Sequence, residues 1–272
     1  MAMTRRDFIL TSGVGMAGTI IASPVRSNCG SRETLSRAVP YDPHSARNYL
    51  QDGLIGHWDG IENGGYGVHD SNQSIWRDLV GENHLVKSGS SKIFVHADGY
   101  KWVNIKQTYL QSLQRFYGLD TTGYTFEILA EAYTHSTQCN DMLSFQYNTY
   151  NYGFSLYWYN QYTPYGYKIT YGQSDRYIGI MDTTGITSYS RVVYPNRLGR
   201  EDFIDAVQLR TVTSTQETSE GVFLSVGALR PDFTSGRVSG NFKIFCIRLY
   251  NRMLTESEVT YNHTVDKVRF SF

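Results

Sequence analysis

Phe242-Lys-Ile-Phe-Cys-Ile-Arg-Leu-Tyr-Asn-Arg-Met-Leu-Thr-Glu-Ser-Glu-Val259 holds two elements and the joint between them. Phe242–Leu249 is rich in β-branched and aromatic residues and reads as a strand that ends at the turn Asn251-Arg252. Thr255-Glu-Ser-Glu258 then has the Thr-x-x-Glu form in which each side chain satisfies the other's backbone amide at a helix start. Val259, Tyr261, Val265 and Val268 supply an apolar stripe behind it, so a short C-terminal helix is expected, with Arg269-Phe-Ser-Phe272 returning as an extended segment. A helix this short is unstable alone and has to dock on the sheet that precedes it.

Working back along the chain, more strands precede that last one. Gly53–Trp58, Val103–Lys106, Tyr124–Tyr133, Gly153–Tyr159, Tyr167–Tyr171, Ser190–Val193, Phe203–Val212 and Val222–Leu229 all have strand composition, with Gly, Asn, Asp and Ser between them. Helical segments do not alternate with them, so a parallel α/β sheet is excluded and an antiparallel two-sheet sandwich is expected. No fixed-period repeat is visible, which argues against propellers and solenoids. The composition agrees: 22 Tyr and 25 Gly against 6 Pro favour strands and tight turns. At 272 residues the chain fits one large all-β domain.

The two ends of this strand-rich region resemble the laminin-G-like, concanavalin A-like jelly rolls. Ile247-Arg-Leu-Tyr-Asn-Arg252 followed by Leu254-Thr-x-x-Glu258 is similar to the closing strand and turn of that family. Gly53-Leu-Ile-Gly-His-Trp-Asp-Gly60 and Trp76-Arg-Asp-Leu-Val-Gly-Glu-Asn83 resemble its first strand and following turn, and Tyr124-Thr-Phe-Glu127 its central strand. The resemblance covers about 53 to 270. It implies two antiparallel sheets, with binding sites, where present, on the concave face or in loops at one edge. The domain is accordingly placed at 53–272, behind a linker or strap at 30–52 and an export signal at 1–29.

The signal is read from Arg5-Arg6, Phe8 and the mildly apolar run to Ala22, which resembles a twin-arginine export signal. An ordinary secretory signal with a chance Arg-Arg is the alternative, and either one places the mature protein in the periplasm, outside the cell or on its surface. The apolar run is too short to span a bilayer. No lipobox precedes Cys29, and the mature form is expected to make no integral membrane contact. Cys139 and Cys246 either close one disulfide or are two separately buried thiols.

Charge narrows the partners. Lys+Arg and Asp+Glu number 25 each, for a net charge of zero, so the electrostatic footprint of a nucleic-acid-binding protein is missing. For catalysis only Glu127 and Glu131 offer paired carboxylates on one face of a strand. Leu129 stands where the family's glucanases carry a helper Asp, and four residues of ideal strand separate the carboxylates by roughly 13 Å, too far for a retaining pair. No catalytic residue is therefore assigned. A serine triad has no Gly-x-Ser-x-Gly elbow to build on. No cofactor is expected from the residues themselves; the resemblance implies calcium as the one candidate, because loops of that family place oxygen ligands beside the first strand, and Asp59 and Asp78 are then the candidate ligands, their alternative role being to cap turns through backbone amides.

The aromatic run carries the functional expectation. Tyr147, Tyr150, Tyr152, Tyr157, Tyr159 and Tyr162 are interleaved with Asn, Gln, Ser and Thr. Flat rings beside amide and hydroxyl groups suit the C–H faces and hydroxyls of sugars, and equally suit protein interfaces. In Phe154–Tyr159, alternation assigns Phe154, Leu156 and Trp158 to the core and Tyr157 and Tyr159 to the exposed side. The chain thus reads as an exported, non-catalytic, carbohydrate-binding module. The alternatives are an adhesion module that binds a cell-surface protein and, third, a glycoside hydrolase.

Overall fold

The structure, a computed structural model, describes residues 41–88, 94–97, 100–104, 109–132, 140–146, 153–159, 166–171, 175–178, 186–195, 199–212, 221–226 and 242–272. Asp42–Phe272 form one compact unit. In chain order the described strands are β1 (Leu54–Asp59), β2 (Ile75–Trp76), β3 (Leu85–Ser88), β4 (Phe94–Ala97), β5 (Tyr100–Asn104), β6 (Tyr109–Ser112), β7 (Tyr124–Ala132) and β8 (Asn140–Gln146). They continue as β9 (Gly153–Tyr159), β10 (Gly166–Tyr171), β11 (Asp175–Ile178), β12 (Thr187–Val193), β13 (Arg200–Ile204), β14 (Val207–Val212), β15 (Phe223–Val226) and β16 (Phe242–Tyr250). A one-turn helix α1 (Leu119–Thr122) precedes β7, and α2 (Glu256–Phe270) follows β16. The strands form two sheets, β14-β13-β12-β7-β16-β5-β4 with β1 also on β16, and β11-β10-β9-β8-β15-β6-β3-β2. All described pairings are antiparallel. The chain is an all-β two-sheet sandwich with a C-terminal helix, as its strand pattern implied.

Strands β7 and β16 form the centre of the first sheet, and their alternation sorts residues into two layers. Tyr124, Phe126, Ile128 and Ala130 of β7 join Ile244, Ile247 and Leu249 of β16 in the core between the sheets, against Leu110, Phe145, Leu224 and Val226 of the second sheet. Thr125, Glu127 and Leu129 alternate with the β7 residues of that core and are buried on the outer face. A bulge in β16 leaves Phe245 without a partner on β7, between Ile244 opposite Ala130 and Cys246 opposite Leu129. Phe245 and Cys246 therefore both turn outward, where they pack with Leu129 and Phe270. Gly56 serves the inner layer: a Cβ there would lie 2.6 Å from the Trp58 indole, so glycine lets that ring fold back into the core.

The outer face is covered by α2 and by the strap that precedes β1. Residues 42–52 include a 3-10 turn, Ala46–Asn48, capped by Ser45. The strap is tied to α2 along its length: Arg269 Nε donates to the His44 carbonyl (2.7 Å), Tyr261 Oη to that of Asn48 (2.9 Å), and the Leu50 amide to Asn262 Oδ1 (3.2 Å). The expected capping box of Thr255 and Glu258 starts α2, and Arg252 adds a two-pronged contact to Glu258 at 2.7 and 3.0 Å.

Three expectations are corrected. The helix does not stop before Arg269: Arg269 and Phe270 are its last turn, and Ser271 closes it in the left-handed region at φ 57°. Arg269 is held there by Asp59 and Phe270 by Phe245. Nor is the docking face the stripe of Val259, Tyr261, Val265 and Val268, because Tyr261 and Val268 are exposed; the buried face is Val259, Asn262, His263, Val265, Asp266, Arg269 and Phe270. Finally, 203–212 is not one strand. Asp205 (φ 48°) and Ala206 (φ 61°) make a two-residue turn that folds β14 back on β13.

Candidate functional site

Beneath α2 and the strap lies a layer of buried ionic groups that uses the carboxylates singled out in the sequence. Glu127, buried, accepts from Arg248 Nε (2.8 Å), Asn262 Nδ2 (2.8 Å) and Ser190 Oγ (3.3 Å). Arg248 turns its other nitrogens to Asp266 at 2.7 and 2.9 Å. Its guanidinium also covers the Tyr49 ring at 4.0 Å, while Tyr49 Oη donates to Asp266 at 2.6 Å. Arg269 reaches both carboxylate oxygens of Asp59 and the Tyr49 hydroxyl. Two guanidinium planes and the ring of a strap tyrosine thus tie β1, β7, β16 and α2 together.

Burial and ion pairing act on this layer together. Burial pushes the Glu127 carboxyl above its ordinary value, partly offset by Arg248 and Asn262. Burial acts the same way on Asp59, but Arg269 outweighs it and holds that carboxyl below its usual range. The Cys246 thiol is pushed far up, mainly by burial, and so stays protonated and unreactive. It is free, near Asp266 Oδ1 (3.6 Å) and Arg248 Nη1 (3.2 Å). The possible partner Cys139 lies outside the described residues. Glu131, two positions beyond Leu129, pairs with Lys243 at 3.0 Å. Glu127 is sealed from solvent and bound on every side, so it has no room to meet a glycosidic oxygen or an attacking water.

Asp78 is bridged through its backbone to Trp58, the residue before Asp59. Asp59 Oδ1 accepts from the Ile61 and Glu62 amides, both at 2.8 Å. Asp78 Oδ1 accepts from the amides of His57 (3.0 Å) and Val80 (3.1 Å), and Oδ2 from that of Asn83 (3.3 Å). Both side chains therefore cap the turns that follow them, and Asp59 also holds Arg269. Among the described residues no group of three or more His, Cys, Asp or Glu is arranged to hold a metal.

A second ionic group was not read from the sequence. Arg191 Nε donates to Asp202 Oδ1 (2.9 Å) and to the Tyr189 hydroxyl (3.0 Å), and Arg200 Nε lies 3.6 Å from Asp202 Oδ2. Arg191, Arg200 and Asp202 are fully buried, on the face where Tyr189 joins the inter-sheet core. The available signal was an arginine two positions from Tyr189 and two from Val193, on the inward side of the strand.

Of the ring residues, Tyr147, Tyr150, Tyr152 and Tyr162 lie outside the described residues, and for Tyr157 and Tyr159 the backbone alone is described. That backbone fixes neighbours. Strand β9 lies between β8 and β10, with Tyr157 opposite Asp141 and Lys168, Trp158 opposite Asn140 and Tyr167, and Tyr159 opposite Gly166. Strands β8 to β11 form one flank of the second sheet. The export segment 1–29 and strap residues 30–40 are likewise outside the described residues.

No protein-family model matches the chain. No curated protein matches it either. Solved structures do resemble it. A Trypanosoma rangeli sialidase in complex with sialic acid aligns with TM-score 0.59 and 13% identity over 79% of this chain and 33% of the sialidase. The binding domain of botulinum neurotoxin DC in complex with SialylT aligns with TM-score 0.54 and 8% identity over 79% of this chain and 51% of the other. Domain 4 of an extracellular arabinanase from Geobacillus stearothermophilus, in complex with arabinotriose, aligns with TM-score 0.50 and 14% identity over 76% of this chain and 96% of that domain. The chain thus spans about a third of the sialidase it matches, and at these identities what it has in common with all three is the fold.

Proposed function

We propose that the protein is an exported, non-catalytic recognition module of the laminin-G-like, concanavalin A-like class, and that its ligand is a glycan. The observation that carries this reading is the register of β8, β9 and β10, which sets the ring residue Tyr157 between Asp141 and Lys168 on neighbouring strands, with Tyr159 two positions on along the same face of β9. Cross-strand neighbours lie within side-chain reach. Rings that cover C–H surface next to groups that meet hydroxyls are what sugar recognition requires. The three similar structures, solved with sialic acid, SialylT and arabinotriose, support a carbohydrate ligand for this fold. The burial of Glu127 on Arg248 and Asn262 supports recognition without hydrolysis. Export rests on Arg5-Arg6 and the apolar run behind them.

A glycan array tests the reading, with the purified protein and a Tyr157→Ala/Tyr159→Ala variant, each with calcium and with chelator. Selective binding that the double variant loses is expected, and loss with chelator would assign a calcium-dependent site. Absence of binding to every glycan in both conditions would overturn the reading in favour of a protein-binding adhesion module.

A further inference from the structure

Where the chain leaves β6 it runs beside the start of β15. Phe116 and Val222 exchange both backbone hydrogen bonds, at 2.8 and 2.9 Å. Phe116 points into the core, edge-on to Trp58 (centroids 6.1 Å apart) and tilted against Phe145 (5.9 Å), so this short bridge is anchored from below. Its neighbours Arg115 and Tyr117 project the other way. Tyr117 is 70% exposed.

An isolated exposed tyrosine is ordinary, but this one is mounted. Antiparallel pairing of Phe116 with Val222 sets Tyr117 across from Gly221 and Arg115 across from Phe223. A Cβ built on Gly221 would lie 2.6, 2.7 and 2.8 Å from three consecutive atoms of the Tyr117 ring. Three such nearly equal distances place that point over the face of the ring; beyond its edge, only the middle atom would be close. Tyr117 therefore lies face-down on the glycine, with its second face turned to solvent. On the same side the Arg115 guanidinium lies 4.9 Å over the Phe223 ring. A clamped, exposed ring thus lies next to a guanidinium held over a second ring. Little further ordering is needed to use them.

We propose that these residues form a second ligand site, in which the apolar face of a sugar ring stacks on Tyr117 and a ring substituent, a hydroxyl or carboxylate, accepts from Arg115. The site rests on the glycan-recognition reading and is carried by the segment after β6 and the start of β15, whereas Tyr157 and Tyr159 are carried by β9. Two sites on one sandwich would act together on a branched or repeating glycan, raising avidity without new contacts at either.

The test uses the full chain labelled with fluorotyrosine, with the Tyr117 resonance assigned by a Tyr117→Phe variant, titrated with sialyllactose, arabinotriose and chitotriose. A saturable shift of that resonance is expected with at least one sugar. Tyr117→Ala should weaken its binding about tenfold, as loss of one aromatic stacking contact does, while Tyr117→Trp should keep it. Gly221→Ala, which pushes the ring off its seat without removing it, should weaken the same sugar with the melting temperature nearly unchanged. If sugars bind while the Tyr117 resonance stays still and Tyr117→Ala binds like the wild type, this second site is overturned and glycan recognition stands. If the wild type binds none of the sugars, here or on the array, both fall together.

Discussion

His57 is fully buried, and neither of its ring nitrogens makes a hydrogen bond. Tyr49 from the strap meets its ring edge-on at 5.2 Å, Asp59 on its own strand lies 3.8 Å from Nε2, Arg248 is its partner across the ladder, and Arg269 of α2 adds repulsion. Burial is the main reason its pKa falls to about 3; Asp59 opposes the fall, and the two arginines add to it. The unfolded imidazole titrates near 6.5, so between about 6.5 and about 3 the unfolded chain binds a proton that the native chain refuses. Stability is then lost as pH falls through that window, by up to about 1.4 kcal/mol per pH unit, and the loss levels off below it. Urea unfolding at pH 7, 5.5 and 4.5 checks this: the stability gap between His57→Leu and wild type should move in the variant's favour as pH falls. A gap independent of pH would show that His57 titrates in the native state as it does in the unfolded chain. For Arg248 the expectation is larger. Arg248→Ala leaves the buried Glu127 and Asp266 uncompensated and should cost about 3–5 kcal/mol in the same assay. Glu127→Gln, by contrast, should alter the urea midpoint and no glycosidase readout, because the carboxylate is a structural partner of Arg248.

At the scale of elements, what was legible followed from local chemistry. The capping box announced α2, and β7, β9 and β16 lie within a residue of where their composition placed them, because long runs of strand formers bounded by turn residues leave few alternatives. The failures have equally local causes. The docking face of α2 was misread because half of it is polar: Asn262, Asp266 and Arg269 are buried by ion pairs and hydrogen bonds that only the folded sheet supplies. Strands β2, β3, β4, β6, β8 and β11 were missed because each is short or polar and owes its existence to a neighbour. The turn between β13 and β14 escaped because Asp205-Ala206 has neither the Gly nor the Asn that a left-handed pair favours, and strand formers stand on both sides of it. That turn makes its own prediction. Ala206 holds φ 61° with a Cβ in the way, so Ala206→Gly should stabilise the protein by about 1 kcal/mol, a rise in Tm of about 2–4 °C by scanning calorimetry. A fall in Tm would mean that the entropy of the added glycine outweighs the relieved strain.

Across the whole molecule the outer face of the first sheet shows what the fold does with the carboxylates of β7. Glu127, Leu129 and Glu131 share a strand face, as alternation required, but α2 closes over Glu127 and makes its carboxylate a tie between layers, while Glu131 pairs with Lys243 on the neighbouring strand. The strap is the element for which composition gave least guidance. Residues 30–52 look like a polar linker, yet Ala46 and Tyr49 are buried, and Tyr49 stands between Arg248 and Arg269 with its hydroxyl on Asp266. Without the strap, Asp266, Arg269 and Asn262 would meet water on one side and keep their ionic partners on the other, and the outer face would lose its lid of apolar contacts. Removing Tyr49 alone resembles an aromatic deletion from a core, about 3–5 kcal/mol. In a domain of this size that is roughly a 10 °C loss in Tm. A chain beginning at Asp42 should therefore melt with the full-length protein, whereas one beginning at Gly53 should melt at least as far below it as Tyr49→Ala does. Equal melting of the Gly53 chain and the Asp42 chain would make the strap a passive linker and reassign the stability of the outer face to α2 alone. If the Gly53 chain melts early and still binds every sugar its parent binds, the strap acts on folding without touching the ligand sites, as expected for an element that packs on the first sheet while both proposed sites lie on the second.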